Sequence, residues 1–255
     1  MLKFMPDIFE ILRKRWAEAI LVAAFHLGVL ILMIQLSERS TQPQNAAGLY
    51  TPGWLVFLMA TAAAVVAVLW QMLSIGFLRT AYTGGTASQE PASLIITGRH
   101  FFWRMIRFQI LFTVLYFAVS FIILELLNLL VFDRTGQKLS PKIIHLVMQL
   151  VFIILLKPML LVPAIIIVRD CTVREGFGLM RNYRLRRAKM LLGVFFICFA
   201  VFFVLSFVQG LTKDKSLLGY VVAGANLTAA AALTLLIYLA ATAFVASETD
   251  IQTRN

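Results

Sequence analysis

The sequence predicts an all-α, polytopic membrane protein with about six transmembrane helices and two or three amphipathic helices at the membrane surface. Hydrophobic residues make up 61% of the 255 positions and charged residues only 14%, with a mean hydropathy of +0.89; a soluble domain of this length needs far more polar surface. The apolar residues gather into six runs, each long enough to cross a hydrocarbon core of about 30 Å at about 1.5 Å per residue. The basic residues are shared very unequally between the two sides of those runs.

Residues 1–16 put Met5, Ile8, Phe9 and Leu12 on one helical face, with Pro6 in a first turn and Arg13, Lys14 and Arg15 at the end. The pattern predicts an interfacial lead-in helix. A first transmembrane helix is expected over 17–36; it is longer than the apolar region of a cleavable signal and no clear small-x-small site follows, so it is read as retained. After a polar loop comes the second, 54–77, whose stretch from Ala60 to Ala67 has side chains small enough for close helix packing. The turn-rich TAYTGGTASQE then leads into 91–107, where apolar and basic residues mix over about four helical turns, as expected of a second interfacial segment.

Transmembrane helices over 108–132 and 143–168 are joined by a short polar linker that favours antiparallel neighbours. Pro158 and Pro163 fall inside the latter and predict kinks. The chain then enters the basic stretch 172–189, in which Val173, Phe177, Met180 and Tyr183 recur at helical spacing beside Arg174, Arg181 and Arg184. This is a further interfacial segment, expected to lie in the headgroup plane. Helices over 191–209 and 217–245 complete the six. The order of helix, surface segment and helix occurs twice, around 91–107 and around 172–189, as a repeat of architecture with little residue identity.

In this threading Lys3, Arg13, Lys14, Arg15, Arg79, Arg99, Arg104, Arg107, Arg169, Arg174, Arg181, Arg184, Arg186, Arg187, Lys189 and Arg254 share one side. Arg39, Arg134, Lys138, Lys142, Lys213 and Lys215 share the other. The positive-inside rule then places both termini and both basic connectors in the cytoplasm of a bacterial inner membrane. A net charge of +11 would also suit nucleic acid, but no polar module remains outside the apolar runs to read it. The expected partner is anionic phospholipid.

The run from Val162, Pro163 and Ala164 through Val168, Arg169 and Asp170 to Gly176, Met180, Arg181 and Asn182, with a surface helix feeding the next membrane helix, carries a resemblance. It resembles the membrane domain fused to some glycerophosphodiester phosphodiesterases, and uncharacterised stand-alone six-helix proteins of bacterial inner membranes look similar. Gly176 and Asn182 stand where that pattern has an alanine and a serine. The resemblance covers the second to sixth helices in outline. It implies a multi-pass fold without assigned chemistry; no phosphodiesterase catalytic domain is found in this sequence.

Glu125 and Lys157 stand out within the apolar runs, because an ionisable side chain in a membrane helix is costly and marks a candidate site. Counted at about 1.5 Å per residue, Glu125 lies roughly 10 Å and Lys157 roughly 21 Å from the outer ends of their helices, so a direct pair needs a shift of about 10 Å. Glu125 is better matched in depth to His145 and Gln149, with Asn128 at i+3 on its own face. Carbonyls freed by Pro158 and Pro163 can meet the Lys157 ammonium. One reading is a transporter cavity lined by Glu125, Asn128, His145, Gln149 and Lys157. The plainer one, favoured because the other half of the chain has no matching interrupted helix, is a set of groups that satisfy one another in a packed bundle. His26 and Gln71 are each expected to make a single interhelical hydrogen bond.

Arg99, Arg104 and Arg107, with Arg174, Arg181, Arg184, Arg186 and Arg187, are expected to contact lipid headgroups at about 1 kcal/mol per charge near an anionic surface, although topology alone accounts for most of them. The cytoplasmic carboxylates Asp7, Glu10, Glu90, Asp170, Glu175, Glu248 and Asp250 are scattered, and His100 is the one cytoplasmic histidine. No catalytic triad, nucleotide loop or metal spacing appears, and Cys171 and Cys198 fall at different depths. We therefore expect no enzyme activity, cofactor or metal. The expected function is a non-catalytic lipid-contacting or assembly module that meets a membrane-protein partner or a second copy of itself. The alternative is a transporter of a small or lipid-like solute.

Overall fold

A computed structural model describes residues 5–41, 53–83, 90–135, 140–183, 189–211 and 217–254. All of the secondary structure among them is helical: α1 Met5–Lys14, α2 Trp16–Thr41, α3 Gly53–Thr83, α4 Pro91–Thr135, α5 Pro141–Arg169, α6 Val173–Met180, α7 Lys189–Leu211 and α8 Leu217–Arg254. Five stretches are long and apolar enough to cross a membrane: Trp16–Leu36, Phe57–Tyr82, Pro91–Leu130, Leu146–Arg169 and Val222–Thr249. In α7 the described apolar stretch is the shorter Leu191–Val201. The fold is thus all-α, with several helices of membrane length.

Local chemistry sets the helix ends. Pro6 occupies the first turn of α1, where its missing N–H costs nothing. The chain bends at Arg15, yet the hydrogen bonds from Arg15 N to Ile11 O at 2.8 Å and from Ala19 N to Arg15 O at 3.0 Å carry the ladder across into α2. Ser140 caps α5 by accepting from Ile143 N, with Pro141 just inside, and α5 continues through Pro158 and Pro163 to end on Asp170 in the left-handed region, φ 49°. Aspartate tolerates that region better than most residues.

Two expected boundaries come out differently. There is no break near 107: α4 is one helix of 45 residues, because nothing between Pro91 and Thr135 interrupts it except Gly98. At about 1.5 Å per residue it extends roughly 68 Å, so part of it must lie outside a hydrocarbon core of about 30 Å. Conversely, of the interfacial segment expected over 172–189, the helix α6 covers only Val173–Met180. Its start is fixed by a capping box on Thr172 and Glu175. Its end tightens into a turn, with Arg181 N bonded to Gly178 O and Asn182 N to Leu179 O.

The chain forms two compact units, Met1–Phe102 with Tyr183–Asn255, and Trp103–Asn182. In the first, α2 packs on α3 and α8, α7 on α8, and α1 on α8, around Val22, Leu73, Phe77, Leu94, Leu239 and Phe244. Of the alanines expected to allow close packing, Ala63 is buried but Ala60, Ala62 and Ala64 are exposed. The close approach occurs instead where α3 meets the start of α4. A Cβ on Gly76 would collide with the Leu94 carbonyl, and one on Gly98 with the Met72 carbonyl.

A second contact joins the same two segments: the Arg79 guanidinium lies 5.6 Å from the Phe101 ring.

In the second unit α6 lies on α5 through Gly176, where an added Cβ would stand 3.3 Å from both Val162 and Ile166. Phe177 rests against Phe108 at 6.0 Å. The Tyr116 hydroxyl donates to the Met148 carbonyl at 3.3 Å, which ties α4 to α5.

Candidate functional site

The first five turns of α4 separate into two faces. Leu94, Gly98, Phe101, Met105 and Phe108 recur at helical spacing and are buried, while Ile96, Arg99, Trp103 and Arg107 form the opposite stripe and are exposed. Arg104 lies between them and is engaged: it donates to Asp170 at 2.5 Å and to the Cys171 carbonyl at 3.4 Å. Of the arginines expected to face lipid on this helix, Arg99 and Arg107 are therefore the outward ones, and Arg104 serves to fix the end of α5.

The basic stretch after α5 uses its apolar residues inwardly. Gly176 and Phe177 pack on α5 and Phe108 as described, and Tyr183, expected on the lipid side, is buried with its ring 6.1 Å from that of Phe244. Helical spacing there reports packing within the protein. Arg174 and Arg181 point outward; Arg184, Arg186 and Arg187 lie outside the described residues.

The capping box gives this corner its electrostatics. The Thr172 N–H donates to Glu175 Oε2 at 2.8 Å and the Thr172 hydroxyl at 3.0 Å, and together they hold the Glu175 carboxyl below the usual carboxylate range. Burial, and then the charge of Glu175, pushes the Cys171 thiol up.

Four of the five groups expected to share a cavity have described side chains. Glu125 and Gln149 are exposed, Asn128 and Lys157 half-buried, and the side chain of His145 lies outside the described residues. Among the described residues Glu125 and Lys157 form no ion pair.

Sequence reasoning missed a buried polar seam in the first unit. Arg15 and Glu18 pair at 3.4 Å with side chains only 3% and 5% exposed, and Arg15 also donates to the Thr80 hydroxyl at 2.7 Å. Two turns deeper, His26 stacks on Trp70, with ring centroids 4.3 Å apart, beside a cavity of about 10 Å³ that Ser74, Thr234 and Tyr238 also line. That volume suits at most one water and no solute. A signal was present: Arg15, Glu18, Val22 and His26 follow at intervals of three and four, so the charges share a face with a core valine.

Comparison with family models, with curated proteins and with solved structures returned no match, and the resemblance to phosphodiesterase membrane domains rests on the residues quoted for it.

Proposed function

We propose that the chain is a non-catalytic, six-span protein of a bacterial inner membrane with cytoplasmic termini, and that it binds anionic phospholipid along the outer face of α4. The observation that carries this reading is the two-faced start of α4. One stripe is spent on protein packing, and the other leaves Arg99 and Arg107 flanking an exposed tryptophan, the residue pair favoured where headgroups meet acyl chains. The sixth span is α7, which carries no charge after Lys189 through its 23 residues. Arg174 and Arg181 extend the same basic side, where a membrane-protein partner or a second copy would be held. The likeness to the phosphodiesterase membrane domains belongs to this proposal, as a fold without assigned chemistry.

The test is native mass spectrometry of the gently extracted protein. Wild type should retain phosphatidylglycerol or cardiolipin, and Arg99→Gln/Arg107→Gln should lose it while staying folded. Equal retention by both proteins would remove the lipid reading from α4.

A further inference from the structure

The chain enters its first span through an elbow whose sides have different fates. Ile8, Arg15, Glu18, Ala19 and Val22 are buried. Phe9, Trp16 and Ile20 are 64%, 64% and 59% exposed, and Arg13 is exposed with them. These four fall at intervals of four, three and four, so they form one stripe across the bend, and the hydrogen bonds through Arg15 keep that stripe in register. Lys14 is turned aside and neutralised by Glu10 at 2.6 Å, which leaves Arg13 as the charge the stripe presents.

We infer that this elbow is a second lipid contact, separate from α4, that fixes the depth at which the chain enters the bilayer. Trp16 begins an apolar span, Trp16–Leu36, and is therefore where headgroups give way to acyl chains. Arg13 lies one turn outward, at the level of the lipid phosphate, and Ile20 one turn inward, among the chains; a turn is about 5.4 Å. Phe9 continues the stripe one turn beyond Arg13. The occupant is thus the phosphate and glycerol zone of a phospholipid leaflet, selected by an arginine and an indole side by side. On the inner side the buried pair of Arg15 and Glu18, with Thr80, prevents the elbow from rolling the stripe inward.

The inference shares with the proposed function the reading that α2 crosses a bilayer, and the test separates them. Benzoylphenylalanine replaces Trp16 in one variant and Trp103 in another, both at exposed positions, in the otherwise native chain in phosphatidylethanolamine and phosphatidylglycerol vesicles. Phospholipid adducts at position 16, with their yield falling severalfold when Arg13→Glu is added, are the expected result. Adducts at 103 but none at 16 would overturn the elbow alone, and adducts at neither position would sink the α4 reading as well. Should a variant lose its helical content, a chain with Trp16 as its one tryptophan gives an independent answer. Lipids brominated near the glycerol should quench its emission more strongly than lipids brominated near the chain end, and equal or absent quenching would overturn the inference.

Discussion

Arg15 and Glu18 show why a single charged residue is hard to read from a sequence. Each is ordinary by type, and only the face they share with Val22 and His26 places them inside. Removing one partner strands the other charge in the core, so Arg15→Ala or Glu18→Ala should each cost about 3 kcal/mol, whereas Arg15→Met/Glu18→Leu should cost much less than the sum. Denaturant unfolding in detergent of the three variants measures this, and additive losses would mean that the pair does not couple. Glu125 and Lys157 teach the converse: a carboxylate and an ammonium on neighbouring apolar helices invite pairing, yet Glu125 is exposed and Lys157 half-buried, and the two are not paired.

At the corner after α5, Glu175 makes the pH dependence predictable. Its carboxyl is held below the ordinary range when α6 is folded, so its contribution is present above the unfolded-state range and is lost as pH falls through the depressed folded-state range. Protection factors for amide exchange at Glu175 and Gly176, taken relative to the intrinsic rate at each pH, should therefore fall under acid conditions, and Glu175→Gln should flatten that dependence. The same substitution removes one of the causes that raise the Cys171 thiol. Alkylation of Cys171 near neutral pH should accelerate in Glu175→Gln, and an unchanged rate would mean that burial alone governs the thiol.

At the scale of elements, the apolar runs located the helices well because a membrane span has a length requirement that composition meets visibly. The ends were less legible, for separate reasons. Residues 91–107 look unlike 108–132 in composition, but helix continuity depends on the backbone, and no proline or cap interrupts α4. The stretch after Asp170 looked like a membrane-surface helix because packing on α5 through Gly176 and Phe177 selects the same spacing that lipid would. Small residues misled as well: the alanines of α3 are mostly exposed, whereas the two glycines that admit the crossing of α3 and α4 are isolated in sequence. Gly76→Ala and Gly98→Ala should each separate these helices, lowering the thermal midpoint in detergent, while Ala62→Leu should be nearly silent. A silent Gly98→Ala would show that α4 does not approach α3 so closely.

For the whole molecule, the account depends on where the charges lie relative to the membrane. Both proposed lipid surfaces, on α4 and at the elbow, need Arg13, Arg99 and Arg174 on one side, which the proposal meets by counting α7 as a sixth span. Five spans would leave the two basic connectors together but send the termini to opposite faces. An additional break in α4 would divide the connectors themselves. Charge asymmetry in the sequence is the ground for proposing this arrangement, whereas the seam between α2, α3 and α8 depends on tertiary packing that charge counting does not see.

The most direct measurement is sidedness. In a background of Cys171→Ser/Cys198→Ala, single cysteines at Arg13, Arg99, Arg174 and Lys138 would be exposed to a membrane-impermeant maleimide in right-side-out and inside-out vesicles. The account predicts that the first three label only from the cytoplasmic side and Lys138→Cys only from the opposite one. Labelling of Arg99→Cys and Arg174→Cys from different sides would contradict it.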